Sequence, residues 1–197
     1  MKKLKVITTA DEKQSIQLLH SGSHNDRCLG DQVSSQPEIE ILDILKKLGY
    51  DFGVTLPCNK IKKLIDLVEK EPSMKIIPVT REEEGVGICT GAYLAGKKPF
   101  MLIQSSGLGN SLNALASLIK TYEIPLLVLA SYRGYYEEKI PAQIPLGNAL
   151  PGMLDALEIP FMIINKDCKE LEKACEANNN DQAPFTVFLS PELFEDA

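Results

Sequence analysis

The residues of this sequence best suited to acid–base chemistry are three consecutive carboxylates, Glu82, Glu83 and Glu84. They follow Thr80 and open a segment of helical character, so we expect them in the first turn of a helix. A carboxylate placed there can share a proton with a bound ligand if the site is dry. The same spacing also predicts a capping box, in which Thr80 caps the helix and Glu83 is its partner. Spacing alone leaves both roles of Glu83 open.

Polar or glycine-containing segments follow four of the predicted strands. They are Pro57-Cys58-Asn59, Thr80 to Glu83, Gln104 to Asn110, and Ser131 to Gly134. In parallel sheets, ligands bind beyond the carboxyl ends of the strands. Each segment alone is also ordinary turn chemistry. Together they predict a site along one rim of the sheet.

Cys58 could act as a nucleophile, because it follows a strand at a predicted helix start. Its usual base is missing, since both histidines, His20 and His24, lie in the first 36 residues. We therefore interpret Cys58 as a residue that lines a substrate pocket. The same distribution excludes histidine-dependent triads and zinc hydrolase chemistry from the main domain.

Two glycine motifs come close to nucleotide-binding loops without matching them. Gly91 to Lys97 has the spacing of a phosphate loop, but Lys98 stands where Ser or Thr is required. Gly107 and Gly109 follow a predicted strand, but Leu112 occupies the third glycine position of a dinucleotide fingerprint. Neither motif supports a nucleotide site by itself.

An alternation of helical and strand patterns must position these residues. Helices are predicted near 39–48, 61–68, 80–95, 108–120, 150–157 and 169–177, and strands at 52–56, 76–79, 100–104, 126–130, 161–164 and 185–189. We expect Gly49 to stop the first helix and Gly96 to stop the third. Short β-branched and aromatic runs between amphipathic helices are typical of crossover units. The sequence therefore predicts an α/β fold, a three-layer parallel sheet with helices on both faces.

The third predicted helix contains Gly85, Gly87 and Gly91, each of which costs about 1 kcal/mol relative to alanine. Gly87, Gly91 and Ala95 recur at every fourth position, so they form a stripe of small residues on one helix face. The stripe predicts that another backbone approaches closely. That backbone belongs either to the chain's own sheet or to a second subunit.

Composition limits the function classes further. The chain of 197 residues has a formal charge of −6 and a pI near 5.1, which argues against a nucleic-acid surface. No apolar run approaches the roughly 20 residues of a membrane span. Five cysteines without a repeating spacing suggest reduced thiols and a cytoplasmic protein. We interpret residues 1–36 as a loosely ordered N-terminal extension and residues 37–197 as the single domain.

A family resemblance joins these motifs. Its residues are Glu83, Gly85 and Tyr93, the run Ser106-Gly107-Leu108-Gly109-Asn110 with Asn113, and the strings Leu56-Pro57-Cys58, Tyr132-Arg133-Gly134 and Pro141-Ala142-Gln143. From about Pro37 to Leu189 the sequence resembles the pyrimidine-binding domain of thiamine-diphosphate-dependent 2-oxoacid decarboxylases. Within that superfamily it is most similar to sulfopyruvate decarboxylase alpha subunits.

The resemblance implies roles for particular residues. In the superfamily a glutamate at the helix start touches the aminopyrimidine ring of the cofactor, so Glu83 is expected to be the catalytic residue. Glu82 stands where many relatives have a histidine, so no role of that histidine is carried over. The expected cofactor-binding residues are Glu83, Ser106, Gly107, Leu108 and Asn110, and the expected substrate-binding residues are Cys58, Asn59, Arg133 and Gln143.

The resemblance also implies a partner. Related enzymes hold the diphosphate through Mg²⁺ on a domain with a Gly-Asp-Gly motif, which this chain lacks. We therefore expect no metal ligand here, and a beta subunit that carries the diphosphate-binding domain in a hetero-oligomer. The expected reaction is decarboxylation of 3-sulfopyruvate to sulfoacetaldehyde in coenzyme M biosynthesis of methanogens. Phosphonopyruvate decarboxylation and a non-catalytic α/β nucleotide-binding module are the alternatives.

Overall fold

The structure is a computed structural model that describes residues 36–181 and 183–194, with the backbone alone at Asp181. The predicted extension over residues 1–36 lies outside this part of the chain, apart from Gln36, and stays a prediction. None of the helices in the described ranges is long and apolar enough to cross a membrane.

Helices and strands alternate along the described chain. The helices are α1 Pro37–Lys47, α2 Lys62–Lys70, α3 Glu82–Leu94, α4 Ser105–Ala114, α5 Ile144–Ala156 and α6 Glu170–Asp181. The strands are β1 Phe52–Thr55, β2 Lys75–Pro78, β3 Pro99–Gln104, β4 Leu127–Ser131, β5 Phe161–Ile164 and β6 Phe185–Leu189. Short 3₁₀ turns cover Asn59–Ile61, Pro141–Gln143 and Pro191–Phe194, and a π-helical segment, Leu115–Lys120, continues α4.

All six strands pair in parallel in the order β2-β1-β3-β4-β6-β5. Apolar residues of α1, α2 and α6 pack on one face of this sheet, and those of α3, α4 and α5 pack on the other. Residues of β3 alternate between the two cores, as the period of a strand requires: Phe100 and Leu102 face one, Met101 and Ile103 the other. The predicted three-layer parallel fold is confirmed.

The helix ends follow local chemistry. Gly49 and Gly96 adopt φ values of +79° and +82° just after α1 and α3, in the left-handed region that stops a helix at glycine. Both predicted stops are confirmed. The predicted start of α4 near residue 108 is wrong, because the helix begins directly at Ser105, where β3 ends.

The start of α5 near residue 150 is also wrong, since the helix begins at Ile144. Pro145 is tolerated in the first turn, where its missing N–H has no partner to lose. Pro151 lies inside the helix and cannot donate to the carbonyl of Gly147, four residues before it. The hydroxyl of Tyr132 donates to that carbonyl instead, at 3.2 Å. A contact from the residue that follows β4 thus replaces a helical hydrogen bond, which no local pattern could have predicted.

Candidate functional site

The site is built at the point where the strand order reverses. After β1 the chain crosses to α2 on one face, and after β3 it crosses to α4 on the other. The segments that follow these neighbouring strands therefore separate and leave a crevice beyond their carboxyl ends. Cys58 follows β1 and Gln104 ends β3, and the Cys58 thiol donates to Gln104 Oε1 at 3.5 Å. Two of the four predicted strand ends meet at this crevice.

A third strand end joins them from β4. Ser131 Oγ lies 3.3 Å from Cys58 Sγ, and Arg133 Nη1 donates to Gln104 Oε1 at 3.5 Å. The side-chain nitrogen Nε2 of Gln104 donates to Ser106 Oγ, and it also donates to Gln143 Oε1 at 3.4 Å. The structure thus brings together Cys58, Arg133 and Gln143 through Gln104, a residue that the predicted set of site residues left out.

Asn59, beside Cys58, is exposed and lies in the 3₁₀ turn that precedes α2. Cys58 itself is 8% exposed. Its environment is polar on two sides, with a hydroxyl and an amide oxygen in contact. The prediction that Cys58 lines a pocket is compatible with this position, and no histidine occurs among the described residues.

Arg133 is already occupied by a partner from its own loop. Its Nε and Nη2 donate to the two carboxylate oxygens of Glu138 at 2.6 and 3.0 Å. The side chains are only 11% and 7% exposed. The bond to Arg133 lowers the pKa of Glu138 to about 2. Sequence reasoning missed Glu138, because a charge five residues away in an irregular loop has no periodic signal.

The contacts of Glu83 differ from those that the predicted capping box requires. Helix α3 begins at Glu82 with Arg81 before it, and no side chain caps its amides. The Thr80 hydroxyl donates to the Glu84 carboxylate at 3.1 Å instead. Glu83 pairs with Arg81 at 3.3 Å, and its side chain is 46% exposed. The capping-box prediction is wrong, because the helix starts too late for Thr80 to cap it.

The neighbouring Glu82 turns inward onto α4. A Cβ added to Gly107 would lie 2.1 Å from Glu82 Oε1 and 2.2 Å from Glu82 Cδ. A side chain at this position would displace the carboxylate from its place against α4. The starts of α3 and α4 are therefore in direct contact, with a carboxylate between them and no side-chain cap on either helix.

The remaining residues of the predicted cofactor set lie along the first turns of α4. Ser106 is half-buried, Gly107 is buried and Asn110 is exposed. Leu108 is completely buried among apolar residues of the α3–α5 face, so only its backbone could contact a ligand. No group of three or more metal-ligating side chains occurs in the part of the chain that the structure describes.

The glycines of α3 divide into two groups. A Cβ on Gly85 would lie 2.7 Å from Val54 Cγ1, so this glycine packs on the chain's own sheet. Gly87 and Gly91 are exposed, and a Cβ added to either would meet no neighbouring atom within 4 Å among the described residues. Leu94, one turn further along α3, is 76% exposed. The stripe at Gly87 and Gly91 is thus open on the surface of the described chain.

Comparisons with known proteins found a matching family model and similar sequences. A model of the N-terminal TPP binding domain of thiamine pyrophosphate enzymes matches residues 40–159. The chain is 42% identical over 150 residues to sulfopyruvate decarboxylase subunit alpha of Methanococcus maripaludis, across 75% of this chain and 90% of that protein. It is 48% identical over 162 residues to sulfopyruvate decarboxylase of Methanosarcina acetivorans, across 81% of this chain and 41% of that protein.

A solved structure shares the fold. The crystal structure of benzoylformate decarboxylase from Polynucleobacter necessarius matches 81% of this chain and 30% of its own, with a TM-score of 0.64 and 17% sequence identity. The chain thus spans less than half of this enzyme and of the Methanosarcina protein, but nine tenths of the Methanococcus subunit.

Proposed function

Since this chain belongs to the thiamine pyrophosphate enzymes, as their N-terminal TPP binding domain, we propose that it is the alpha subunit of a sulfopyruvate decarboxylase. The reaction would convert 3-sulfopyruvate to sulfoacetaldehyde and CO₂, in the cytoplasm and as a step of coenzyme M biosynthesis. The observation that carries the proposal is the 42% identity across 90% of an alpha subunit from Methanococcus maripaludis.

The described residues are compatible with the pyrimidine half of thiamine diphosphate. Gly107 presents a bare Cα against the Glu82 carboxylate, where α3 and α4 both begin. Glu83 offers an accessible carboxylate at the same helix start. Glu83, Ser106 and the backbone from Gly107 to Leu108 would hold the ring, with Asn110 at the outer edge. The cofactor, when bound, supplies an electron sink for the loss of CO₂ from a 2-oxoacid.

In this proposal Glu83 holds a proton at the pyrimidine ring nitrogen N1′. A carboxylate suits this task if its surroundings are dry, because a hydrogen bond is stronger where water is excluded. Glu83 is 46% exposed in the isolated chain, so a second surface would have to cover it. The crevice residues Cys58, Gln104 and Gln143 would contact the 2-oxoacid through their polar groups.

The covering surface is assigned to a beta subunit. The chain has no Gly-Asp-Gly motif for a diphosphate-bound Mg²⁺, so the partner would provide the metal ligands and the diphosphate site. The open stripe at Gly87 and Gly91 on α3 begins one turn beyond Glu83 and is suited to close approach of another backbone. A hetero-oligomer that buries this face would also exclude water from Glu83.

The central test replaces Glu83 by glutamine in the chain co-expressed with its beta subunit. Glutamine keeps the shape but cannot exchange a proton with the ring, so sulfopyruvate turnover should fall by a factor of roughly 100 or more. Exchange of the cofactor C2 proton should slow in parallel. Binding of thiamine diphosphate, measured by fluorescence titration, should persist, because the diphosphate contacts are assigned to the partner.

Glu84→Gln is the matched control, since Glu84 is exposed on the same helix turn and bonds only to Thr80 among the described residues. It should turn over like the parent. Turnover and proton exchange of Glu83→Gln within a few-fold of the parent would remove Glu83 from catalysis. A preference for phosphonopyruvate, or tight nucleotide binding by the chain alone, would favour the corresponding alternative function.

A further inference from the structure

The loop after β4 is organised by one buried carboxylate. Glu138 accepts two hydrogen bonds from the Arg133 guanidinium, and it also accepts from the backbone N–H groups of Gly134 and Ile140 at 3.2 and 3.1 Å. Four donors thus converge on its two oxygens. Because the side chain is 7% exposed, these bonds replace hydration that the carboxylate has lost.

This arrangement determines which part of Arg133 remains available. Nε and Nη2 are both engaged by Glu138, in the bidentate geometry that a guanidinium and a carboxylate favour. The remaining nitrogen, Nη1, faces Gln104 Oε1 at a long 3.5 Å. Gln104 in turn contacts Cys58 and Gln143. Glu138 therefore turns one edge of the guanidinium toward the crevice between the ends of β1 and β3.

The backbone makes the same loop rigid. Arg133 N donates to Ser105 Oγ at 3.0 Å, which ties the loop to the first residue of α4. A Cβ on Gly134 would lie 2.2 Å from Gln143 O, so the two ends of the loop are packed backbone to backbone. Arg133 is thus fixed at its main chain and at two of its three nitrogens.

We propose that Glu138 is a positioning residue of the substrate site, which holds Arg133 so that its Nη1 edge binds the second anionic group of the substrate. The inference rests on the proposed function, because a sulfonate is the group that this edge would meet. Glu138 does not touch the substrate itself. Its carboxylate also balances the arginine charge, so the crevice does not contain an unpaired buried cation.

The alternative is a salt bridge that only stabilises the loop. The two possibilities differ in the double variant Arg133→Met, Glu138→Gln. Replacing both partners of a buried ion pair by neutral groups is often nearly neutral for stability, whereas removing one leaves a buried charge. A structural pair predicts that the double variant recovers both stability and substrate KM. A positioning pair predicts that it recovers stability while KM for sulfopyruvate stays raised.

The experiment uses the chain assembled with its beta subunit, in the parent, Glu138→Gln and the double variant. For Glu138→Gln we expect KM for sulfopyruvate to rise roughly tenfold or more, on the scale of a lost charge-assisted hydrogen bond. The change should fall on KM more than on kcat, and it should be smaller for pyruvate, which lacks the second anionic group. Glu158→Gln is the control, because it breaks an exposed pair with Lys120 at 2.8 Å far from the crevice.

A second measurement keeps the inference independent of turnover. Sulfoacetate, a non-reacting sulfonate, should raise the melting temperature of the assembled parent and of Glu158→Gln, but not of Glu138→Gln. Equal sulfopyruvate KM in parent and Glu138→Gln, or no melting shift in the parent, would overturn the positioning role. A parent that binds sulfoacetate but does not decarboxylate sulfopyruvate would instead refute the proposed activity and leave the Glu138 assignment supported.

Discussion

Alanine at Gly87 and Gly91 should stabilise the isolated chain and weaken its assembly with the beta subunit. Both glycines lie inside α3, and an added methyl meets no described atom within 4 Å at either. Each replacement therefore gains up to about 1 kcal/mol of helix propensity. Since about 1 kcal/mol raises the melting temperature of a domain of this size by roughly 2–4 °C, the double variant should melt about 4–8 °C higher.

Assembly should respond in the opposite direction. If a partner backbone packs against the bare Cα atoms, two methyl groups would overfill that contact, at a cost of about 1–3 kcal/mol. The dissociation constant should then rise by a factor of roughly 5 to 150, since 1.4 kcal/mol is tenfold. Thermal unfolding of the isolated chain and titration with the beta subunit in an analytical ultracentrifuge measure the two effects separately.

Gly152→Ala in α5 is the matched control. Gly152 also lies inside a helix with open space around its Cα, but on a different helix. It should raise the melting temperature of the isolated chain and leave assembly unchanged. If the double variant of α3 is stabilised but binds the beta subunit with parental affinity, the partner does not approach α3 through these glycines. If the isolated double variant is destabilised, there is no open space around Gly87 and Gly91 in the isolated chain.

Two further predictions concern the Arg133 loop. Gly147→Ala should lower the melting temperature by several degrees, because its Cβ would lie 2.3 Å from Arg133 O and 2.7 Å from Gly134 Cα. Backbone atoms would have to move to accept the methyl group, at a cost of about 1–3 kcal/mol in stability. A melting temperature at or above the parent's would contradict this packing. Glu138 has its pKa lowered to about 2 by Arg133, below that of an unfolded glutamate, so its stabilisation is present above about pH 4.3 and declines as the pH falls toward 2. The difference in unfolding free energy between the parent and Glu138→Gln, measured in urea, should therefore shrink from pH 6 to pH 3, and a constant difference would refute the pairing.

The three buried thiols of the apolar layers show how environment decides reactivity. Cys89, Cys168 and Cys175 are at most 2% exposed. Burial raises the pKa of Cys168 to about 12 and that of Cys175 to about 11, and it raises the pKa of Cys89 as well. A thiolate is the reactive form of cysteine. These values are those of buried structural thiols rather than of reactive ones.

Much of this fold follows from the sequence alone. The alternation of apolar strands with amphipathic helices is a local pattern, and it was sufficient to predict the parallel sheet and the layers on both sides of it. Gly49 and Gly96 marked the ends of α1 and α3 correctly, because a left-handed residue is a local requirement. The strand ends that carry the candidate site were predicted for the same reason, since in a parallel sheet they must share one edge.

Tertiary structure alone decided how the side chains at that edge are used. The partnership of Arg133 with Glu138 and the linking position of Gln104 depend on distances between segments, which a periodic pattern does not encode. Helix α5 continues through Pro151, and the Tyr132 hydroxyl bonds the Gly147 carbonyl that the proline leaves free. The spacing of Glu83 allowed two roles, as a capping partner or as a catalytic residue, and only the start of α3 at Glu82 excluded the capping role. Sequence periodicity reports which face a residue occupies, whereas hydrogen bonding across the crevice depends on how the strands are ordered in space.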